Sequence, residues 1–105
     1  MVWRVEFPWG FRLVASGRPL TVGRDTPGLE SELASYPNVS RKHALFTGAE
    51  HGVIVTDLAS TNGSYINDIQ IAPRESAVAH DGDVVRLAAD LYSTVRRVPA
   101  DEITA

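Results

Sequence analysis

Three short polar segments stand out for what their side chains could hold: Gly23-Arg24, Ser40-Arg41-Lys42-His43 and Ser60-Thr61-Asn62-Gly63-Ser64. Arg24, Arg41 and Lys42 bring cationic donors, Ser40 and Thr61 bring hydroxyls, and Asn62 brings an amide that both donates and accepts. Such a set suits a phosphate dianion, whose strong acceptor oxygens and nearly two negative charges reward convergent charge-assisted donors. The planar fork of arginine favours it for that task. The Asn62 amide suits a peptide main chain. Taken singly, each segment has a plainer reading. Gly23-Arg24 could be a strand end with a solvated arginine. Ser40 could cap a helix or open a polar turn, and Asn62-Gly63 could make a hairpin turn with positive φ angles. Only the combination points to an anion site, one built for binding and not for catalysis.

Residues so far apart in the chain must be gathered by loops at one end of a rigid scaffold. Strand signals supply that scaffold, because β-branched and aromatic residues alternate with polar ones in short runs broken by Gly, Pro, Asn and Asp. Val2 to Phe7 puts Trp3, Val5 and Phe7 on one face. Pro8-Trp9-Gly10 then turns the chain into Phe11 to Ala15, and Ser16 to Pro19 turns it again into Leu20-Thr21-Val22. His43 to Thr47, Val53 to Leu58, Asp83 to Ala88 and Leu91 to Val98 read as strands, with shorter pieces near Tyr65-Ile66, Ile69 to Ala72 and Ala77-Val78. About ten short strands imply an all-β antiparallel sandwich. The stretch from Asp25 to Val39 carries no strand pattern and is expected to be a surface loop, with one helical turn near Glu30 to Tyr36 as a possibility. Residues 1–98 are expected to form one domain, and 99–105 a short C-terminal tail.

Composition narrows the function classes. At 105 residues, 44% hydrophobic and 22% charged, the chain can bury one core but not two. With no cysteine there is no disulfide frame and no thiolate nucleophile, which fits a cytoplasmic setting. A net charge of −3 argues against nucleic acid as a partner, and no apolar run is long enough to span a membrane. Basic residues are nonetheless concentrated locally, since Arg41 and Lys42 lie in a stretch from Asn38 to Ala49 that contains no acid.

The blocks Gly23-Arg24, Ser40-Arg41-Lys42-His43, Asp57 to Asn67 and Asp81-Gly82-Asp83 together resemble the forkhead-associated (FHA) domain in order and spacing, over about Trp3 to Val98. The resemblance implies an eleven-stranded β-sandwich whose loops at one end bind phosphothreonine peptides. The implied partners are a threonine-phosphorylated protein or peptide and, upstream, a Ser/Thr protein kinase, with no cofactor. Carried onto this chain, Arg24 and Ser40 look like the core phosphate ligands, Arg41 adds to the cradle, and Thr61 looks like a further phosphate-side contact. Asn62 matches the residue that holds the peptide main chain. Gly23, His43 and Gly63 look architectural, and His43 is expected to be buried beneath the binding loops. Two positions depart from the family pattern, Asp68 and Ala88, where glycine is common.

The residue types are also compatible with other function classes. Ser40, His43 and Asp57 are the types needed for a hydrolase triad, but no Gly-x-Ser-x-Gly pattern surrounds Ser40, and Arg41 and Lys42 favour anion capture. A phosphate-independent interaction module on the same sandwich is the alternative, which the joint presence of Arg24, Ser40 and Asn62 argues against. Asn38-Val39-Ser40 and Asn62-Gly63-Ser64 match the short glycosylation pattern, which chance supplies often. Asp81-Gly82-Asp83 reads as a tight turn and not a metal loop, and His51 and His80 read as exposed turn residues with no zinc spacing.

Overall fold

The alternation of Trp3, Val5 and Phe7 with Arg4 and Glu6 has the period of a strand with one buried face, and β1 (Val2–Phe7) buries those three apolar side chains. The computed structural model describes residues 2–99. After β1 come β2 (Gly10–Ala15), β3 (Leu20–Val22), a single helical turn α1 (Glu30–Leu33), β4 (Ala44–Gly48), β5 (Val53–Asp57) and β6 (Ser64–Ile66). The chain continues through β7 (Ile69–Ile71), β8 (Ser76–Ala79), β9 (Val84–Leu87) and β10 (Leu91–Arg97). All pairings are antiparallel, in one sheet ordered β2-β1-β10-β9-β6-β7 and a second ordered β3-β4-β5-β8.

The inner faces of the two sheets share one core, with Val5, Val14, Leu87, Leu91 and Val95 from the first and Val22, Phe46, Val53 and Val55 from the second. Each is fully buried or nearly so, and burial of a side chain of this size contributes about 1.5–3 kcal/mol. The Trp3 indole N–H donates to the Ala49 carbonyl at 2.7 Å, tying the first sheet to the turn between β4 and β5 of the second. Gly48 lies where β4 passes β2. A Cβ there would sit 2.8 Å from the Ala15 backbone, so only glycine permits the approach.

Ten strands form among the described residues, one fewer than the family resemblance implied. The segment between β3 and β4, expected as a loop with a helical turn, holds α1 at Glu30, Ser31, Glu32 and Leu33. It is also less of a surface loop than its polarity suggests. Thr26, Leu29, Leu33 and Val39 are buried, and Leu33 and Val39 reach the core. The tail from residue 100 lies outside the described residues. Among the described residues no helix is long and apolar enough to cross a membrane.

Candidate functional site

The first polar segment continues β3 past its last ladder pair. The Arg24 N–H donates to the Ser40 carbonyl at 3.1 Å and the Asp25 N–H to the Arg41 carbonyl at 3.0 Å, which lays Arg24 alongside the Ser40-Arg41 loop. Gly23 makes this possible, since a Cβ at that position would collide with the Arg41 carbonyl oxygen. Thr26 locks the turn that follows. Its hydroxyl accepts the Gly23 N–H at 2.9 Å and donates to the Thr21 carbonyl at 2.8 Å. Arg24 itself is exposed, and its Nε–H donates to the Val39 carbonyl at 2.7 Å, which anchors the guanidinium.

The second segment is held from below by His43, which is fully buried. Its Nδ1 accepts the Ser40 N–H at 3.0 Å, so the proton resides on Nε2, which donates to the Gly63 carbonyl at 2.7 Å. One ring therefore fastens the Ser40 loop to the Gly63 loop. Burial pushes the His43 pKa below the ordinary value of 6.5, against the opposing pull of the Gly63 carbonyl and the Asp57 charge. Main-chain groups engage both ring nitrogens, leaving none to take a proton from the Ser40 hydroxyl. The triad geometry that a hydrolase needs is not formed.

The third segment is pinned by the buried carboxylate of Asp57. Asp57 Oδ1 accepts the Ser60 hydroxyl at 2.5 Å and the Ser64 hydroxyl at 2.6 Å, while Oδ2 accepts the Ser60 N–H at 3.1 Å. The Ser60 hydroxyl in turn accepts the Gly63 N–H at 3.0 Å. Gly63 adopts φ +87°, a left-handed conformation, and its carbonyl also accepts the Ala88 N–H at 2.9 Å. Above this base Ser40 Oγ accepts the Thr61 N–H at 3.1 Å, and Asn62 Nδ2 donates to the Asn38 carbonyl at 2.8 Å.

Arg24, Ser40, Arg41, Thr61 and Asn62 thus stand on three interlocked loops, with the side chains of Arg24, Arg41, Thr61 and Asn62 exposed and Ser40 half-buried between them. Lys42 is exposed as well. With Arg41, Asp25, Pro27 and Leu58 it borders a depression of about 230 Å³ beside the cluster. The nearest buried carboxylate, Asp57, is spent on serine hydroxyls and the Ser60 N–H. Asp25 is the one carboxylate beside the exposed Arg24, Arg41 and Lys42, so the three cations outnumber it and the arrangement can hold a compact anion.

The comparisons with known proteins give the family and the fold. The FHA domain family model matches residues 20–88, a span that contains all three loops. The chain belongs to the FHA domain family. Among solved structures, the FHA domain of CT664 protein from Chlamydia trachomatis superimposes with a TM-score of 0.76 at 21% identity, covering 94% of this chain and 100% of that one. An FHA domain of an Arabidopsis thaliana hypothetical protein gives a TM-score of 0.75 at 25% identity, covering 94% of this chain and 87% of the other. A domain from a structural and functional analysis of phosphothreonine-dependent FHA domain interactions gives 0.72 at 24% identity, covering 94% and 99%. No curated protein sequence matches.

Both departures from the family pattern fall on left-handed residues. Asn67 and Asp68 have φ of 48° and 67° in a two-residue hairpin loop between β6 and β7, and Ala88 has φ 58° at the end of β9. Asn67 secures its turn to β9, donating its N–H to the Val84 carbonyl at 2.8 Å and accepting the Val84 N–H on Oδ1 at 3.0 Å. The bracing roles of Thr26, Ser60 and Asn38 were not foreseen in the sequence. The spacing of Asp57 and Ser60, a carboxylate three residues before its N–H partner, is the one signal that could have shown the turn.

Proposed function

We propose that this FHA domain binds threonine-phosphorylated segments of partner proteins and performs no chemistry on them. The observation that carries the reading is the pairing of Gly23-Arg24-Asp25 with Ser40-Arg41, which sets two arginines and a serine hydroxyl side by side on a rigid base. In this reading Arg24, Ser40 and Arg41 take the phosphate, Thr61 adds a contact on the phosphate side, and the Asn62 amide holds the peptide main chain. Gly23, His43 and Gly63 support them from beneath. Each charge-assisted hydrogen bond is worth about 1.5–3 kcal/mol net. The ligand would be supplied by a Ser/Thr kinase acting in the cytoplasm, and neither cofactor, nucleic acid nor membrane enters.

Related structures support the reading. An engineered FHA has been solved with Myc-pTBD peptide, and Mycobacterium tuberculosis EmbR in complex with a low affinity phosphopeptide. The test is Arg24→Ala titrated against a phosphothreonine peptide that the parent domain binds. Affinity should fall about tenfold or more, the equivalent of about 1.4 kcal/mol, while the circular dichroism spectrum stays unchanged. Unchanged affinity would remove Arg24 from the site.

A further inference from the structure

Asn62 precedes Gly63, and an asparagine before a glycine carries a chemistry that phosphate binding does not use. The Gly63 nitrogen can close a five-membered ring on the Asn62 side-chain carbonyl carbon, and no Cβ obstructs its approach. The chain has three asparagines, and the other two are less able to react. Asn38 precedes Val39, which is β-branched and buried. Asn67 is held at both ends of its amide, its Oδ1 accepting the Val84 N–H at 3.0 Å and its Nδ2 donating to Asp83 Oδ1 at 3.0 Å. Asn62 is exposed, so water and base reach it. Its Nδ2 bond to the Asn38 carbonyl, at 2.8 Å, lies at the surface, where water competes for both partners.

In the reaction the Gly63 nitrogen gives its proton to a base from solvent and attacks Cγ of Asn62. A new C–N bond forms, the Cγ–Nδ2 bond breaks, and the departing nitrogen takes up a proton and leaves as ammonia. Water then opens the cyclic imide. Attack at Cγ leaves aspartate, attack at the main-chain carbonyl leaves isoaspartate, and neither step changes an oxidation state. The exposed Arg24, Arg41 and Lys42 on the adjoining loops favour both the proton loss and the oxyanion that forms as the ring closes. One group opposes it. The Gly63 N–H donates to the Ser60 hydroxyl at 3.0 Å, and that hydroxyl is itself fixed on Asp57 Oδ1, so the nitrogen must leave a braced acceptor before it attacks. Either product places a carboxylate beside the phosphate ligands. Isoaspartate also inserts one carbon into the main chain ahead of the Gly63 carbonyl, which accepts from both His43 and the Ala88 N–H.

We propose that Asn62 is a site of spontaneous deamidation that turns the domain off, with the Ser60 hydroxyl setting its rate by holding the Gly63 N–H. The conversion stands on the loop geometry, whereas the loss of binding rests on the phosphothreonine reading. The experiment holds the domain in mildly alkaline buffer beside a synthetic peptide spanning residues 57–67 and follows both by peptide mapping with isoaspartate detection. Asn62 should convert ahead of Asn38 and Asn67, and more slowly than in the peptide. In Ser60→Ala its rate should rise about fivefold, the worth of one hydrogen bond, with Asn38 and Asn67 unaltered, and Ser60→Thr, which keeps the hydroxyl, should bring the rate back. Asn62→Asp, which carries one product outright, should bind a phosphothreonine peptide about tenfold or more weakly than the parent, and aged domain should lose binding in proportion to conversion. An Asn62 that stays intact while the peptide converts, or that converts after Asn38 or Asn67, would overturn the inference. So would an unchanged rate in Ser60→Ala, a rise shared by all three asparagines, or full affinity in Asn62→Asp. Failure of the parent to bind any phosphothreonine peptide would instead overturn the reading beneath it, and with it the switch, while the mapping still decides the conversion at Asn62.

Discussion

Replacing His43 by alanine should cost this domain stability and affinity together. The ring is fully buried and bridges two loops, accepting the Ser40 N–H at 3.0 Å and donating to the Gly63 carbonyl at 2.7 Å. After truncation the Gly63 carbonyl keeps the Ala88 N–H, so the Ser40 N–H is the group left without a partner. Ser40 is half-buried, so its orphaned donor costs about 1 kcal/mol, the lower end of the range for buried donors, and the cavity adds about 2 kcal/mol or more, for a total of about 3 kcal/mol or more. That is a large part of the stability of a domain this size, about 5–15 kcal/mol. His43→Asn should be milder, because its Oδ1 can stand where Nδ1 stood and accept the Ser40 N–H. The assay is urea denaturation, repeated from about pH 8 to about pH 5. Burial holds the folded His43 pKa below its unfolded value of 6.5, so the unfolded chain binds a proton that the folded chain refuses. The contribution is therefore complete above about pH 6.5 and is lost as pH falls toward the depressed folded value, at up to about 1.4 kcal/mol per pH unit. The difference between the parent and His43→Ala isolates this residue from other titrating groups, and should narrow as the pH falls. A cost below about 1 kcal/mol, or a difference flat across the range, would refute the bridging role.

Gly23→Ala should be as damaging as any single methyl can be, since the added carbon collides with the Arg41 backbone and not with a flexible side chain. A loss of about 3 kcal/mol or a failure to fold is expected by thermal melting, and a midpoint within about 2 °C of the parent would contradict the close approach. Asp57→Asn should cost about 1.5–3 kcal/mol, because an amide cannot accept on both oxygens from the Ser60 hydroxyl, the Ser60 N–H and the Ser64 hydroxyl. The same substitution should raise hydrogen exchange in the Ser60 to Ser64 loop, and protection equal to the parent's would show that the carboxylate does not hold that loop.

Much of the scaffold was legible because burial writes itself as alternation. Trp3, Val5 and Phe7 announce the inner face of β1, and Leu91, Ser93 and Val95 do the same for β10. The segment between β3 and β4 was harder to read, because its anchors Leu29, Leu33 and Val39 belong to a four-residue helical turn and its flanks, too short to show any period. The side chains gathered at the loops could be named from their chemistry, and the family resemblance named Gly23, His43 and Gly63 beneath them, but other groups that position the loops were missed. Asp57 reads only as the first residue of a family-like block and as a candidate triad acid, whereas it is 1% exposed and accepts from three donors of the Ser60 to Ser64 loop. The register that sets Arg86 opposite Tyr65, with its guanidinium carbon 4.0 Å from the ring centroid, is likewise a contact between distant segments. Such roles depend on contacts between segments far apart in the chain, and sequence spacing does not encode them.

Calorimetric titration of the domain against a degenerate phosphothreonine peptide pool, with phosphoserine and unphosphorylated pools as controls, addresses the proposed function most directly. Binding confined to the phosphothreonine pool is the predicted result, with Arg24→Ala silent or weakened about tenfold under the same conditions. A folded sample that ignores all three pools, or binds the unphosphorylated pool equally well, would contradict phosphate recognition by the loops and favour a phosphate-independent interaction on the same sandwich.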